Sequence, residues 1–153
     1  MKIKELTGSK LSILDFELLV VGGGEESVWQ SDNYEAAFVI IEGECSLSLP
    51  GLEEVKFSRK NVFDDLPSAV FVPPKTQVSI TAKFASTIAV CKALSDQPNK
   101  PVLVSQDMIR EEWRGKEGYR RKIRNIINTE TKTHRLALGE TMNLPGNWSS
   151  FPP

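Results

Sequence analysis

The stretch Tyr34-Glu35-Ala36-Ala37-Phe38-Val39-Ile40-Ile41-Glu42-Gly43-Glu44-Cys45-Ser46-Leu47-Ser48-Leu49-Pro50-Gly51 decides the fold class. Its first half, Glu35–Ile41, is a short apolar run bounded by polar and turn residues, the mark of a strand. In its second half, Ser46 and Ser48 alternate with Leu47 and Leu49, as in a strand with one wet face. Glu42-Gly43-Glu44 reads as a turn joining two strands, and Pro50-Gly51 stops the second. Working outward, Phe16–Val21, Val55–Phe57, Ala69–Val72, Gln77–Thr81 and Thr87–Ala93 repeat the pattern. Short strands rich in Val, Ile and Phe at spacings of roughly 8–12 residues predict an all-β sandwich or barrel. Gly22-Gly23-Gly24 lacks the spacing of a dinucleotide-binding loop and reads as a hairpin turn.

After Ala93 the character changes. Ser95–Pro101 is polar, with two prolines, and reads as a loop or linker. Ser105 is placed to cap a short helix over Gln106–Trp113, with Ile109 and Trp113 four apart on one face. Gly115 and Gly118 end it. Tyr119–Ile127 has a basic start and an apolar end, and Arg135–Asn143 alternates like another strand. From Thr141 to Pro153 there is no charged side chain, but there are two aromatics and three prolines. Free ends are usually polar and loosely held. This segment is therefore expected to pack, on its own domain or across a two-fold axis onto a partner.

Composition narrows the function classes. A chain of 153 residues, 40% hydrophobic and 25% charged, fits one ordinary domain with its own core rather than a disordered tail. The longest charge-free apolar runs, such as Leu66–Pro74, fall far short of the roughly 18 residues of a membrane helix. Charge in Met1-Lys2-Ile3-Lys4-Glu5, then Asp15 and Glu17, argues against a secretory signal. A formal charge of −1 gives no global pull toward nucleic acid or anionic membrane. With one histidine, His134, and two isolated cysteines, Cys45 and Cys91, a conventional zinc site lacks its ligands. The cysteines sit in apolar runs and are expected to be free thiols in a cytoplasmic protein.

Several segments resemble one enzyme family. Gly139-Glu140-Thr141-Met142-Asn143-Leu144-Pro145-Gly146-Asn147-Trp148-Ser149-Ser150-Phe151-Pro152-Pro153 looks like the signature of the 5-deoxy-glucuronate isomerases of inositol catabolism, relatives of the 4-deoxy-5-keto-uronate isomerases. Phe63-Asp64-Asp65-Leu66-Pro67-Ser68-Ala69-Val70-Phe71-Val72-Pro73-Pro74 resembles the same family. So does Arg114-Gly115-Lys116-Glu117-Gly118, with Arg121 and Arg124-Asn125-Ile126 after it. The resemblance implies a cupin-like antiparallel β-barrel of the RmlC-like jelly-roll type, here with one short helical connector. It also implies an aldose–ketose isomerisation of a sugar acid.

Family members of this kind are bicupins. Their divalent metal, such as zinc, lies in the second cupin, starting with a His-Lys-His segment just after the Pro-Gly-Asn-Trp-Ser-Ser string. The chain ends at Pro153, where that segment would begin. The resemblance therefore implies a metal-free first cupin over residues 1–100, a connector with a basic segment over 101–132, and over 133–153 the strand and tail that open a second cupin. No cofactor and no catalytic residue is expected in this chain, and the chain alone is expected to be inactive. The alternative is a metal-free cupin serving as a structural or carbohydrate- or anion-binding module. Where metal-binding cupins place histidines, this sequence has Ser31, Asp32 and Asn33, and Lys75 replaces the glycine of a later Pro-x-Gly. An all-oxygen site from Asp32, Glu35 and Glu44 would be the remaining way to hold a hard cation.

The basic stretch is the strongest charged feature. Residues 110–124 hold Arg110, Arg114, Lys116, Arg120, Arg121, Lys122 and Arg124 against Glu111, Glu112 and Glu117, a net +4, so the rest of the chain carries −5. Arginine forks match a carboxylate through two hydrogen bonds. Arg121 and Arg124 are thus the candidate substrate-binding residues for a sugar-acid carboxylate, against the plainer reading of a charged, protected edge strand. If the segment is extended, Arg121 shares a face with Tyr119 and Ile123, and Arg124 with Arg120 and Lys122. Trp29, Trp113 and Trp148 could stack on a sugar, although packing is the commoner role. The expected partners are a small sugar acid and either a second copy of the chain, as a homodimer, or a second cupin half. No nucleic acid and no membrane is expected.

Overall fold

The computed structural model describes residues 1–5 and 13–150. Twelve strands are present among them: β1 Lys2–Glu5, β2 Leu14–Val21, β3 Glu26–Gln30, β4 Tyr34–Leu49, β5 Leu52–Arg59, β6 Ala69–Val72, β7 Gln77–Ala82, β8 Ser86–Leu94, β9 Val102–Val104, β10 Arg110–Arg114, β11 Arg121–Ile127 and β12 Leu138–Asn143. All pairings among them are antiparallel.

The two strands expected across Glu42-Gly43-Glu44 are one. β4 runs for 16 residues and serves two sheets. Its first part pairs with β8 and β6, and its second with β5 and β7. The register slips between Ile40 and Glu42, and Gly43 follows with φ +105. A Cβ at Gly43 would sit 2.4 Å from the Ala85 carbonyl oxygen, so only glycine fits this bend. The bend carries the chain from the sheet ordered β1-β2-β8-β4-β6-β9 into the one formed by β3, β7, β4 and β5.

The two sheets face each other across a core that includes Leu19, Trp29, Phe38, Leu47, Phe57, Val70, Ile80 and Val90. A second core lies on the outer face of the first sheet. Ala37, Val39, Ala69, Phe71 and Ala89 meet Ile109, Ile126, Ile127 and Leu136 there. Residues 36–40 are therefore buried on both faces of β4, and their side chains are apolar in either register. This cupin-like all-β fold is the one expected.

The helix expected over Gln106–Trp113 does not form. A single 3-10 turn, Gln106–Met108, is followed by β10. Ser105 makes no side-chain cap. Strand pairing wins because β10 finds a full partner in β11, from Arg110 opposite Asn125 to Arg114 opposite Arg121. Eight residues would have made a marginal helix in any case. β11 pairs in turn with β12, giving a three-stranded sheet β10-β11-β12, and Ile126 and Ile127 of β11 join the flanking Ile109 and Leu136 in the second core. No helix among the described residues is long and apolar enough to cross a membrane.

The tail is held by its backbone more than by its aromatic groups. The Trp148 N–H donates to the Gly118 carbonyl at 2.7 Å, and Asn147 Nδ2 donates to the Arg120 carbonyl at 2.9 Å. The Trp148 side chain nonetheless stays 58% exposed, so the burial expected for it is not reached within the chain. Phe151 lies outside the described residues.

Candidate functional site

The chemistry-bearing side chains collect in two places. The first is the junction between the two-sheet core and the three-stranded sheet. Along β5, Val55 and Phe57 point into the inner core, and alternation brings Arg59 inward after them. Its guanidinium is fully buried and grips the Glu140 carboxylate through two hydrogen bonds, at 2.6 and 2.8 Å. It also donates to the carbonyls of Ile40 and Asp65, while its Nε has no hydrogen-bond partner. Arg124 lies beside it. Arg124 Nε donates to Glu111 Oε2 at 2.8 Å, Nη1 to the Val62 and Asp65 carbonyls, and Nη2 to the Phe63 carbonyl. Lys122 completes the network on Glu111 Oε1 at 2.9 Å. The Arg124 and Lys122 hydrogen bonds hold the Glu111 carboxyl below the usual carboxylate range.

This placement changes the reading of the two candidate arginines. Arg124 is 3% exposed and its fork is committed inside the protein, so it acts as a clamp and not as a free carboxylate ligand. Arg121 is half-buried on the opposite face of β11, with Nη1 3.3 Å from the Tyr119 carbonyl. The structure does not bring the two together. The groove beside the clamp, about 350 Å³, is lined by Ile41, Phe63, Arg124, Glu140 and Met142. Trp113 lies against two cations, with Arg120 at 4.7 Å and Lys122 at 5.3 Å from its ring centre.

The second place is one end of the two-sheet core. Alternation from the inner core along β2, β4 and β8 carries Glu17, Tyr34 and Lys92 inward there. Lys92, only 8% exposed, pairs with Glu17 and with Asp15, the latter at 2.7 Å. Trp29 Nε1 donates to Glu17 Oε2 at 3.0 Å, and the Lys92 ammonium lies 5.1 Å from the Tyr34 ring centre. Burial opposes the Lys92 charge, but the two carboxylates outweigh it and hold the ammonium above the usual lysine value.

The alternative of an all-oxygen site for a hard cation is not assembled. Glu35 is fully buried, and its carboxylate accepts the backbone N–H groups of His134, Arg135 and Leu136 at 2.9, 2.5 and 2.8 Å. Glu44 pairs with Lys83 at 2.8 Å, while Asp32 is exposed. His134 rests its Nδ1 3.0 Å from Ser95 Oγ. No group of three His, Cys, Asp or Glu residues that could hold a metal exists among the described residues. Away from the inward charges of Arg59, Glu17 and Lys92 the inner core is apolar, and the donor set among the described residues does not fit a divalent metal. Burial pushes both thiols, Cys45 and Cys91, up to about 11, and they are free.

Sequence reasoning passed over Arg59, Glu17, Lys92 and Glu140. Their signal was present: each charge stands in a strand register whose neighbours two residues away point inward or pack.

Residues 3–153 match the model of the KduI/IolB family. The 5-deoxy-glucuronate isomerase of Geobacillus kaustophilus is 28% identical over 141 residues, covering 90% of this chain and 51% of the relative. That of Lacticaseibacillus casei is 30% identical over 124 residues, covering 78% and 45%. The chain thus spans about half the length of the curated relatives it matches. Among solved structures, an IolB-like protein from Salmonella typhimurium LT2 superposes with a TM-score of 0.82 at 25% identity, over 92% of this chain and 54% of that one. A putative glyoxylate-induced protein from Pseudomonas aeruginosa shares the fold at a TM-score of 0.69 and 12% identity. The family match runs through both sheets, the clamp and the tail, and by it the chain belongs to the KduI/IolB family.

Proposed function

We propose that these residues supply the first, non-metal half of a sugar-acid isomerase of the 5-deoxy-glucuronate type. The observation that carries this reading is the family match across nearly the whole chain, combined with an inner core whose side chains are apolar where a metal-binding cupin needs ligands. In such an isomerisation a proton leaves the carbon beside an aldehyde and returns to the aldehyde carbon, leaving a ketose. The reaction needs a base and a group that stabilises the enediolate oxygens. The residues described here offer neither in a shared open site, so the role we assign is structural support and substrate contact. A free, non-catalytic cupin is the second reading, and the same filled core favours it.

The test is turnover of 5-deoxy-glucuronate followed by NMR, with and without added zinc. The chain alone should show none, and the chain joined to the metal-bearing half of a relative should show it. Turnover by the chain alone that survives added chelator would overturn the proposal. A cytoplasmic setting and a homodimer belong to the same proposal. The exposed Leu144 and Trp148 side chains support the dimer, which light scattering would detect.

A further inference from the structure

We infer that the cleft at the end of the two-sheet core is a binding site for a small polyhydroxy carboxylate, with Lys75 and Arg135 holding the carboxylate. The sugar-acid class rests on the reading of the previous subsection, whereas the anion class rests on the cleft itself. Four separate stretches meet there: the β3–β4 turn with Asn33, the β6–β7 turn with Lys75, Ser95-Asp96-Gln97 after β8, and the segment before β12 with Arg135. The space is about 490 Å³, within the roughly 300–1,000 Å³ of small-molecule sites.

Lys75 and Arg135 are both exposed residues of the cleft lining, and each is held in place by its backbone. Lys75 has φ +58, a left-handed conformation that costs a lysine energy a glycine would not lose. Its N–H is tied to the Asp32 carbonyl at 2.7 Å. Arg135 hangs from a segment whose backbone N–H groups are fixed on the buried Glu35 carboxylate. The Ser95–His134 hydrogen bond links that segment to the opposite wall. Neither Lys75 nor Arg135 makes an ion pair with a described residue.

Asp96 is the one acid among the lining residues, and Gln97 Nε2 donates to its Oδ1 at 3.3 Å. Two cations against one carboxylate leave the cleft short of one negative charge. An arginine fork and a lysine suit a ligand carboxylate. The Asn33 amide and the second Asp96 oxygen suit hydroxyl groups.

The test is equilibrium binding of D-glucuronate, D-glucose and inorganic phosphate to the full chain at fixed ionic strength, read by NMR shifts. Glucuronate should saturate, with glucose and phosphate at least about tenfold weaker, the scale of one charge-assisted contact. Lys75→Met and Arg135→Met should each weaken glucuronate about tenfold at an unchanged melting temperature. Lys75→Gly should lose binding like Lys75→Met while keeping or raising the melting temperature, because the strained φ is relieved. Absence of saturation, equal binding of glucose, or indifference to the variants would overturn the site. Phosphate binding as tightly as glucuronate would overturn the sugar-acid class. No turnover enters this measurement, so it fails or succeeds independently of the isomerase assay.

Discussion

Glu35 and Lys92 show how single buried charges are satisfied in this fold. Glu35 is enclosed completely, yet three backbone N–H groups of the segment before β12 point at its carboxylate. A lone buried carboxylate would be costly, and hydrogen bonds to the charged form offset that cost. Glu35→Ala should destabilise the chain by about 1–3 kcal/mol in urea, the cost of stranding buried donors, and should loosen His134 from Ser95. Lys92 stands between Asp15 and Glu17. Lys92→Met leaves two carboxylates facing each other, and a loss of about 3–5 kcal/mol in the same measurement is the expected result. The pH dependence has a definite sign. The folded lysine holds its proton more tightly than the unfolded one, so its contribution is complete below the unfolded value of about 10.4. It is lost as pH rises through the higher folded value. Wild-type stability should therefore fall in that alkaline window, and Lys92→Met should show a shallower fall there.

At the scale of elements, the three-stranded sheet owes its place to one apolar layer and one ionic clamp. Ile109, Ile126, Ile127 and Leu136 supply the layer. Arg59, Glu140, Arg124 and Glu111 supply the clamp, linking β5 to all three strands β10, β11 and β12. Glu140→Gln keeps the shape and removes the charge shared by two arginines. It should cost about 2–3 kcal/mol, discounted from a fully buried pair because Glu140 is partly exposed. Hydrogen exchange should quicken across β10–β12 while amides of β4 and β8 keep their protection. Equal acceleration everywhere would show that the sheet and the core unfold as one unit.

The element scale is also where reading from sequence succeeded and failed. Strands β2, β4, β5, β6, β7 and β8 of the two-sheet core were legible because alternation and Gly or Pro punctuation agree there, whereas β1, β3 and β9, short and carrying few apolar residues in a row, were not read as strands. β10 was not: Ile109 and Trp113 imitate helical spacing, and only the partner strand Arg121–Ile127 decides between the two. Nor was the continuity of β4 legible, since Gly43 serves as a bend within a strand as well as it would serve a turn. Arg121 and Arg124 were correctly seen on opposite faces, but the partners of Arg124 are loop carbonyls 59–62 residues away in sequence.

Across the whole molecule, a KduI/IolB-family cupin-like fold combines an apolar inner core with chemistry-bearing groups that are used in clamps or gathered at one end. Among the described residues no shared set of ligands for a transition metal is assembled. The most direct measurement is the metal content of the tag-free chain by elemental analysis, after saturation with zinc and exhaustive dialysis. Far less than one zinc per chain should remain, and the same holds for manganese and iron. One tightly held metal ion per chain, retained through dialysis, would contradict it.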